Sequence, residues 1–149
     1  MEITRHSTAT VLIVNHDKIL LHYHKKFNRL LPVGGHVDPD ELPEEAAIRE
    51  VKEETGLSVK LYNPDPTRFP DVRALVQPVH MLLFNSNGHQ HIDFIFYAKA
   101  ETDAVNPATG ESTHLHWYRR EEILKENMPE NVRILALEAL DLLAKEASW

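Results

Sequence analysis

Apolar and β-branched residues occur in short runs that are separated by turn-forming clusters. Residues 8–15 (TATVLIVN) and 18–25 (KILLHYHK) meet at an Asn-His-Asp-Lys stretch, which predicts a β-hairpin. Asn87 and Gly88 stand between two further apolar runs and predict a second tight turn. The proline-rich residues 63–71 predict an ordered surface loop. Other extended segments are predicted at residues 30–37, 57–62, 72–84, 90–100 and 113–118.

Three further segments have the apolar spacing of helices. Residues 43–55 begin with Pro43, which suits a first helical turn, and Gly56 follows at the position that suits a helix end. Residues 120–127 predict a short helix and residues 130–147 a longer amphipathic one. Strands outnumber helices and alternate with them. We therefore predict an α/β fold in which helices cover a mixed β-sheet.

The composition is that of a globular protein. A length of 149 residues fits one domain, residues 1–149, and 42% of the residues are hydrophobic. The absence of cysteine excludes a disulfide scaffold, a thiolate metal site and a cysteine nucleophile. A formal net charge of −7 argues against a nucleic-acid polymer as partner, although a bound cation would admit a small anionic substrate. No signal-like or membrane-spanning segment is present, so we expect a cytoplasmic protein with no membrane partner. We also expect a monomer or a weak homodimer.

Three glutamates of the first predicted helix share one face. Residues three and four positions apart are neighbours on a helix, so Glu50, Glu53 and Glu54 lie together beside the face that packs on the sheet. The residues expected to pack there are Ala47, Ile48, Val51 and Thr55. Like charges at this spacing cost roughly 0.2–0.5 kcal/mol per pair, and Mg²⁺ or Mn²⁺, which prefer oxygen ligands, would remove that cost. The alternative is that these glutamates simply form the solvated face of an acidic helix. Glu44 and Glu45 are explained in that way, because negative charges are favourable at a helix N-terminus.

These glutamates belong to a longer frame of fixed spacing. The stretch from Gly35 to Leu57 reads GHVDPDELPEEAAIREVKEETGL. Its positions of fixed type are Gly35, Glu41, Arg49, Glu50, Val51, Glu53, Glu54, Gly56 and Leu57. The frame resembles the Nudix box of the Nudix hydrolase family with every defining position filled, and Trp117 preceded by Glu111 matches a second family feature. Asp40 departs from the family, which often has glycine there, at a variable position. The resemblance implies a Nudix-type α/β/α sandwich with a mixed sheet.

The resemblance also implies a role for individual residues. The metal ligands would be the carbonyl of Gly35 and the carboxylates of Glu50, Glu53 and Glu54. Glu53 would bind a second ion or hold the attacking water, and Arg49 would orient a carboxylate, that of Glu53 or Glu41. This division agrees with the chemistry, because a metal ion neutralises phosphate charge and makes water acidic. Glu111 would be the general base, and an exposed loop glutamate is the alternative interpretation.

Residues outside the box provide weaker candidates for substrate binding. Lys25, Lys26 and Arg29 precede the box near the expected phosphates, and Phe27 could stack on a base. A solvated hairpin end is the alternative for this stretch. By resemblance to nucleotide-binding members, Asn131 would hydrogen-bond a base edge, or else it caps the last helix.

The histidines of the chain raise the question of a zinc site. Three pairs are spaced two residues apart on predicted strands, which places both members of a pair on one face of the sheet. The pairs are His22 and His24, His89 and His91, and His114 and His116. No carboxylate or thiolate spacing accompanies them, so we interpret them as surface residues.

The sequence therefore favours an enzyme, a Mg²⁺- or Mn²⁺-dependent Nudix diphosphohydrolase that cleaves a nucleoside diphosphate linked to a group X. The expected substrate is a nucleoside triphosphate, in its ordinary or a modified form, because residues 73–75 hold neither the proline nor the tyrosine that marks other subfamilies. A nucleotide sugar or a dinucleoside polyphosphate is the alternative. A non-catalytic nucleotide sensor is a further alternative, although no box glutamate is missing. Isopentenyl diphosphate isomerisation would need a cysteine, which this chain lacks.

Overall fold

The computed structural model describes residues 2–111 and 114–144. In chain order, the strands and helices are β1 (Thr4–Asn15), β2 (Lys18–His24), β3 (Arg29–Leu31), β4 (Val33–His36), α1 (Pro43–Thr55), β5 (Val59–Leu61), β6 (His80–Ser86), β7 (His89–Ala100), β8 (Leu115–Arg119), α2 (Arg120–Lys125) and α3 (Glu130–Leu143).

All eight strands join one mixed sheet with β1 and β7 at its centre. These two strands run parallel, from Thr4 opposite His89 to Val14 opposite Lys99. On its other edge β1 pairs antiparallel with β2 and with β4. The predicted hairpin is confirmed, and its turn places His16 in the left-handed region (φ 55°). The remaining pairs are β2 with β3 and β8, and β7 with β5 and β6.

Helices cover both faces of this sheet, because successive residues of β1 and β7 point to opposite sides. On one side Leu12 and Tyr97 pack in a buried cluster that includes Leu135 and Leu140 of α3. On the other side, the buried cluster joins Val11, Ile13, Phe96 and Ala98 of the sheet to Ala46, Ala47 and Val51 of α1. The predicted α/β/α sandwich with a mixed sheet is confirmed.

Helix α1 has the bounds that the sequence predicts. Pro43 occupies the first turn, and Gly56 ends the helix in the left-handed conformation (φ 76°) with its N–H bonded to the Lys52 carbonyl. The expected burial of Ile48 is wrong, since 40% of this residue is exposed. Ala46 is buried instead. Residues that are two positions apart on a helix point to nearly opposite sides, so a buried face that includes Ala46 leaves Ile48 exposed.

The predicted strand over residues 72–84 is partly wrong, because β6 starts only at His80. The N–H of Val76 donates to the side chain of Glu44 (3.0 Å) and not to a neighbouring strand. Pro78 has no N–H to donate. The ladder therefore begins only where the N–H of Val79 reaches the carbonyl of Ile95 (2.8 Å).

The two C-terminal helices differ from the prediction at their C-terminal ends. Helix α2 ends at Lys125, and Glu126 after it is extended. Helix α3 ends at Leu143, whereas residues 145–147 of the predicted helix lie outside the described residues, as does Thr113 of the predicted strand. Within the described ranges, no helix combines the length and the apolar character that crossing a lipid bilayer requires.

Candidate active site

Strand β4 and helix α1 bring the box residues together. Pairing of Ala9 with Gly35 holds β4 on the centre of the sheet, while Val51 anchors α1 in the core on the same side. As a result the Gly35 backbone lies against the carboxylate of Glu50. A Cβ atom added to Gly35 would stand 2.4 Å from Glu50 Oε1, so a side chain at this position would displace the carboxylate.

Arg49 connects four acceptors of the box. Its guanidinium donates to Glu41 at 2.7 and 2.8 Å, to Glu50 at 3.0 Å and to Glu53 at 3.2 Å. It also donates to the carbonyl of His36 at 3.0 Å. These hydrogen bonds lower the pKa of Glu41 to about 2, the largest contribution being the bond from Arg49. Arg49 therefore bonds to both carboxylates that the sequence proposed for it and to Glu50 as well.

The carboxyl group of Glu54 has a strongly raised pKa. Burial raises its pKa to about 8, although the Gly34 N–H donates to it at 2.8 Å and acts in the opposite direction. Burial also raises the pKa of Glu50, against the opposing hydrogen bond from Arg49. The negative charges of Glu53 and Glu111 raise both values further. Without a cation, this pair of carboxyl groups is expected to retain protons at a pH where free glutamates have lost theirs.

The donor set fits a hard divalent cation. Glu50 and Glu54 supply carboxylate oxygens, Glu53 lies one position from Glu54, and the Gly35 backbone lies against the Glu50 carboxylate. Among the described residues, no group of three or more His, Cys, Asp or Glu side chains is arranged as it stands to hold a metal ion. The carboxylates, which now bond to Arg49 and to the Gly34 N–H, would therefore have to turn toward a shared ion.

A cavity of about 550 Å³ opens next to the carboxylate of Glu54. Glu54 and Glu111 contribute acidic groups to its lining, and Lys25 and Lys26 contribute basic ones. Glu111 lies just after Gly110, which has φ 91°, and its N–H donates to the Ala108 carbonyl at 3.1 Å. The fold thus brings Glu111 and the box to one cavity although they are far apart in sequence.

The other predicted substrate residues lie outside this cavity. Its lining, drawn from the described part of the chain, does not include Phe27, Arg29 or Asn131. Phe27 is 53% exposed and its ring stacks on His24 with the centroids 4.5 Å apart. The alternative interpretation of Asn131 as a helix cap is wrong, since Pro129 is the N-cap of α3 and no side-chain bond caps the helix. Contacts of Phe27, Arg29 and Asn131 with a substrate stay predictions.

Sequence reasoning missed two histidines and a buried acid near the site. His22 and His24, interpreted as surface residues, line the cavity, and burial lowers the pKa of His22. His22 and His24 are two positions apart on β2, and this spacing was the sequence signal that they share one face of the sheet. Asp93 is buried and accepts hydrogen bonds from Thr8 (3.0 Å) and Thr10 (2.8 and 2.9 Å). No local pattern marked Asp93, because its partners come from a distant strand.

Comparison with known proteins agrees with this arrangement. A sequence model of the NUDIX domain matches residues 4–137. A crystal structure of a NUDIX-family hydrolase from Clostridium perfringens is 45% identical and superposes with a TM-score of 0.84, covering 95% of this chain and 99% of that one. A probable DHNTP pyrophosphohydrolase from Lactococcus lactis subsp. cremoris (strain MG1363) is 34% identical over 94 residues. That match covers 63% of this chain and 54% of the relative, so the chain spans about half the length of this curated relative.

More distant solved structures share the fold. The MutT protein of Methanosarcina mazei Go1 superposes with a TM-score of 0.70 at 23% identity, covering 98% of this chain and 99% of that one. An Ap4A hydrolase of C. elegans superposes with a TM-score of 0.67 at 21% identity, covering 95% of this chain and 97% of that one. At these identities the likeness concerns the fold alone.

Proposed function

Because this chain belongs to the Nudix hydrolase family, we propose that it hydrolyses a phosphoanhydride bond in a nucleoside diphosphate linked to a group X. The observation that carries the proposal is the pair Glu50 and Glu54. Both carboxyls have raised pKa values and lie against the backbone of a glycine pair, and Glu54 lines a cavity with basic side chains. Such a pair is suited to binding Mg²⁺ or Mn²⁺. The complete box argues against a non-catalytic sensor.

Each box residue has a defined task in this proposal. Glu50 and Glu54, with the Gly35 carbonyl, hold the divalent ion, and Glu53 holds a second ion or the attacking water. When bound, the ion neutralises charge on the phosphate oxygens and lowers the pKa of water. Arg49 orients Glu50 and Glu53 through the hydrogen bonds that it donates to them before the ion binds.

The remaining steps fall to residues of the cavity. Glu111 accepts a proton from the attacking water as the general base. The new bond forms between the water oxygen and a phosphorus atom, and the bridging P–O bond of the anhydride breaks. Lys25 and Lys26 attract the phosphates of the substrate as they enter.

We infer that X is a phosphate group, so that the substrate is a nucleoside triphosphate and the products are a monophosphate and pyrophosphate. The cavity volume of about 550 Å³ falls within the range of small-ligand sites, which is about 300–1,000 Å³. The name of the L. lactis relative adds DHNTP as a candidate, since 34% of the aligned residues are identical. Nucleotide sugars and dinucleoside polyphosphates remain the alternatives.

A substrate panel tests the proposal. The chelator-treated protein is supplied with Mg²⁺ and, in separate reactions, nucleoside triphosphates, DHNTP, ADP-ribose and Ap4A, and the products are identified by chromatography. We expect a monophosphate and pyrophosphate from a triphosphate. Two nucleoside or sugar monophosphates from ADP-ribose would instead identify a nucleotide-sugar enzyme.

Two variants decide whether the box is responsible. Glu54→Gln should abolish most of the turnover, whereas Glu121→Gln, a charge change at an exposed position of α2, should leave it intact. Turnover of no substrate by the parent, or equal turnover by Glu54→Gln and the parent, would contradict the proposed function.

A further inference from the structure

Four histidine rings meet at one end of the sheet. His6 lies on β1, His36 on β4, and His89 and His91 on β7. His6 pairs directly with His91, and His36 pairs with Thr8, two positions along β1 from His6. Because side chains alternate along a strand, His6, His36 and His91 project from the same face.

Three of these rings form a compact triangle. The ring centroids of His6 and His36 are 5.6 Å apart, those of His36 and His91 are 5.4 Å apart, and those of His6 and His91 are 6.0 Å apart. The ring planes are close to perpendicular in each pair, at 80°, 85° and 72° respectively. His89 stacks on His6 with the centroids 5.8 Å apart and the planes 14° from parallel. It therefore lies beside the triangle.

The triangle has nearly the dimensions of a three-histidine metal site. A Zn–N bond is about 2.0–2.1 Å, so two imidazoles on one tetrahedral ion have their centroids about 5 Å apart. The observed separations exceed this by an amount that side-chain rotation can remove. Rotation is needed, because within residues 2–111 and 114–144 no three His, Cys, Asp or Glu side chains are already arranged to bind a metal ion. His6, His36 and His89 are exposed, so their rings are free to turn and an ion can reach them.

The chemistry of the cluster differs from that of the box. Imidazole nitrogen suits zinc and other transition metals, whereas carboxylate and carbonyl oxygen suit magnesium. Burial lowers the pKa of His91, and the neighbouring charges of His36, His6 and His89 lower it further. Asp93 acts in the opposite direction, and the net lowering of the pKa favours the neutral form of His91, which is the form that binds metal.

We propose that His6, His36 and His91 bind a divalent transition metal of the zinc class, at a site separate from the carboxylates of the box. His89 is placed to complete the coordination as a fourth ligand. The site is linked to the box through one residue, since the ring of His36 belongs to the triangle and its carbonyl accepts a hydrogen bond from Arg49. Metal binding would fix this end of β4.

Zinc binding by the full-length protein tests the proposal. The chelator-treated chain is titrated with Zn²⁺ against a chromophoric chelator, in excess Mg²⁺ so that oxygen sites are occupied. We expect one Zn²⁺ per chain. His6→Gln and His91→Gln should each lower the affinity by more than the roughly 10–100-fold that loss of an outer-shell partner costs.

Two control variants locate the ion. His116→Gln removes an exposed histidine from β8, and Glu54→Gln alters the box, and both should keep the zinc affinity of the parent. No zinc binding by the parent would overturn the proposal. Unchanged affinity in His6→Gln and His91→Gln, or a loss confined to Glu54→Gln, would overturn it too.

A measurement on the parent protein needs no variant. Two-dimensional NMR of the histidine ring nitrogens should show the signals of His6, His36 and His91 moving on addition of Zn²⁺. Shifts restricted to His22 and His24 in the cavity would place the ion elsewhere and refute the site.

Discussion

Glu54→Gln should make the metal-free protein more stable at alkaline pH while it lowers turnover. The Glu54 carboxyl is partly enclosed, and burial raises its pKa to about 8 from an ordinary value of 4.5. Glutamine keeps nearly the same shape and still offers an oxygen to the Gly34 N–H that donates to Glu54 at 2.8 Å. The substitution therefore removes a poorly solvated charge and few contacts.

The sign and size of the effect follow from proton binding. Between pH 4.5 and about 8, the folded protein retains a proton at Glu54 that the unfolded chain has released. The free energy of unfolding therefore falls as the pH rises through this window. A change of one in pKa corresponds to about 1.4 kcal/mol, so the full shift corresponds to roughly 5 kcal/mol. Partial contact of the side chain with solvent reduces this, and we expect a difference of about 1–3 kcal/mol.

The assay is denaturant unfolding of the parent and Glu54→Gln at a series of pH values, in chelator and then in Mg²⁺. In chelator, the advantage of the variant should grow from pH 5 to pH 9. With Mg²⁺ the free energy of unfolding of the parent should rise through linkage to binding, and that of the variant should rise less. Turnover of the variant should fall by about 10²–10³.

Glu121→Gln on α2 serves as the matched control and should follow the parent in all three measurements. The reasoning is refuted if Glu54→Gln is clearly less stable than the parent in chelator at pH 9 and yet has normal turnover. Glu54 would then be a structural residue.

Three further predictions concern the chemistry. Glu111→Gln should lower the rate by about 10²–10⁴ if Glu111 is the general base. The measurement is steady-state kinetics, and a loss of less than a few-fold would show that Glu111 is not the general base. Gly35→Ala should move the Glu50 carboxylate, whose oxygen would lie 2.4 Å from the new Cβ, so Mg²⁺ titrations of turnover should show a raised requirement with little change in melting temperature. Single-turnover reaction in ¹⁸O-labelled water should place the label in a phosphate product, because no activated Ser, Cys or Lys accompanies the box; a trapped phospho-enzyme would contradict this.

Local patterns predicted the elements that carry the box. Helix α1 has the predicted bounds because Pro43 favours its first turn and Gly56 favours its end, and neither effect needs a distant partner. The arrangement of Glu50, Glu53 and Glu54 on one side of α1 followed from helical spacing alone. The bonds from Arg49 to Glu41 and Glu53 agree with what the family resemblance implied.

Features that depend on distant partners were missed. Residues 72–79 have the composition of a strand, but Glu44 on α1 accepts the N–H of Val76 and keeps it from the ladder. The pair His89 and His91 looked like surface residues, because only the parallel pairing of β1 with β7 brings His6 beside them. Asp93 likewise gains its hydrogen bonds from β1. Such contacts are set by sheet register, which spacing along one strand does not encode.

The central claim is that a divalent cation held by the box carboxylates is required for phosphoanhydride hydrolysis. The most direct measurement is the turnover of the best substrate by chelator-treated protein, before and after addition of Mg²⁺ or Mn²⁺. We predict no turnover in excess chelator, recovery on addition of either ion, and a higher ion requirement in Glu54→Gln than in the parent. Full turnover in excess chelator would contradict the claim.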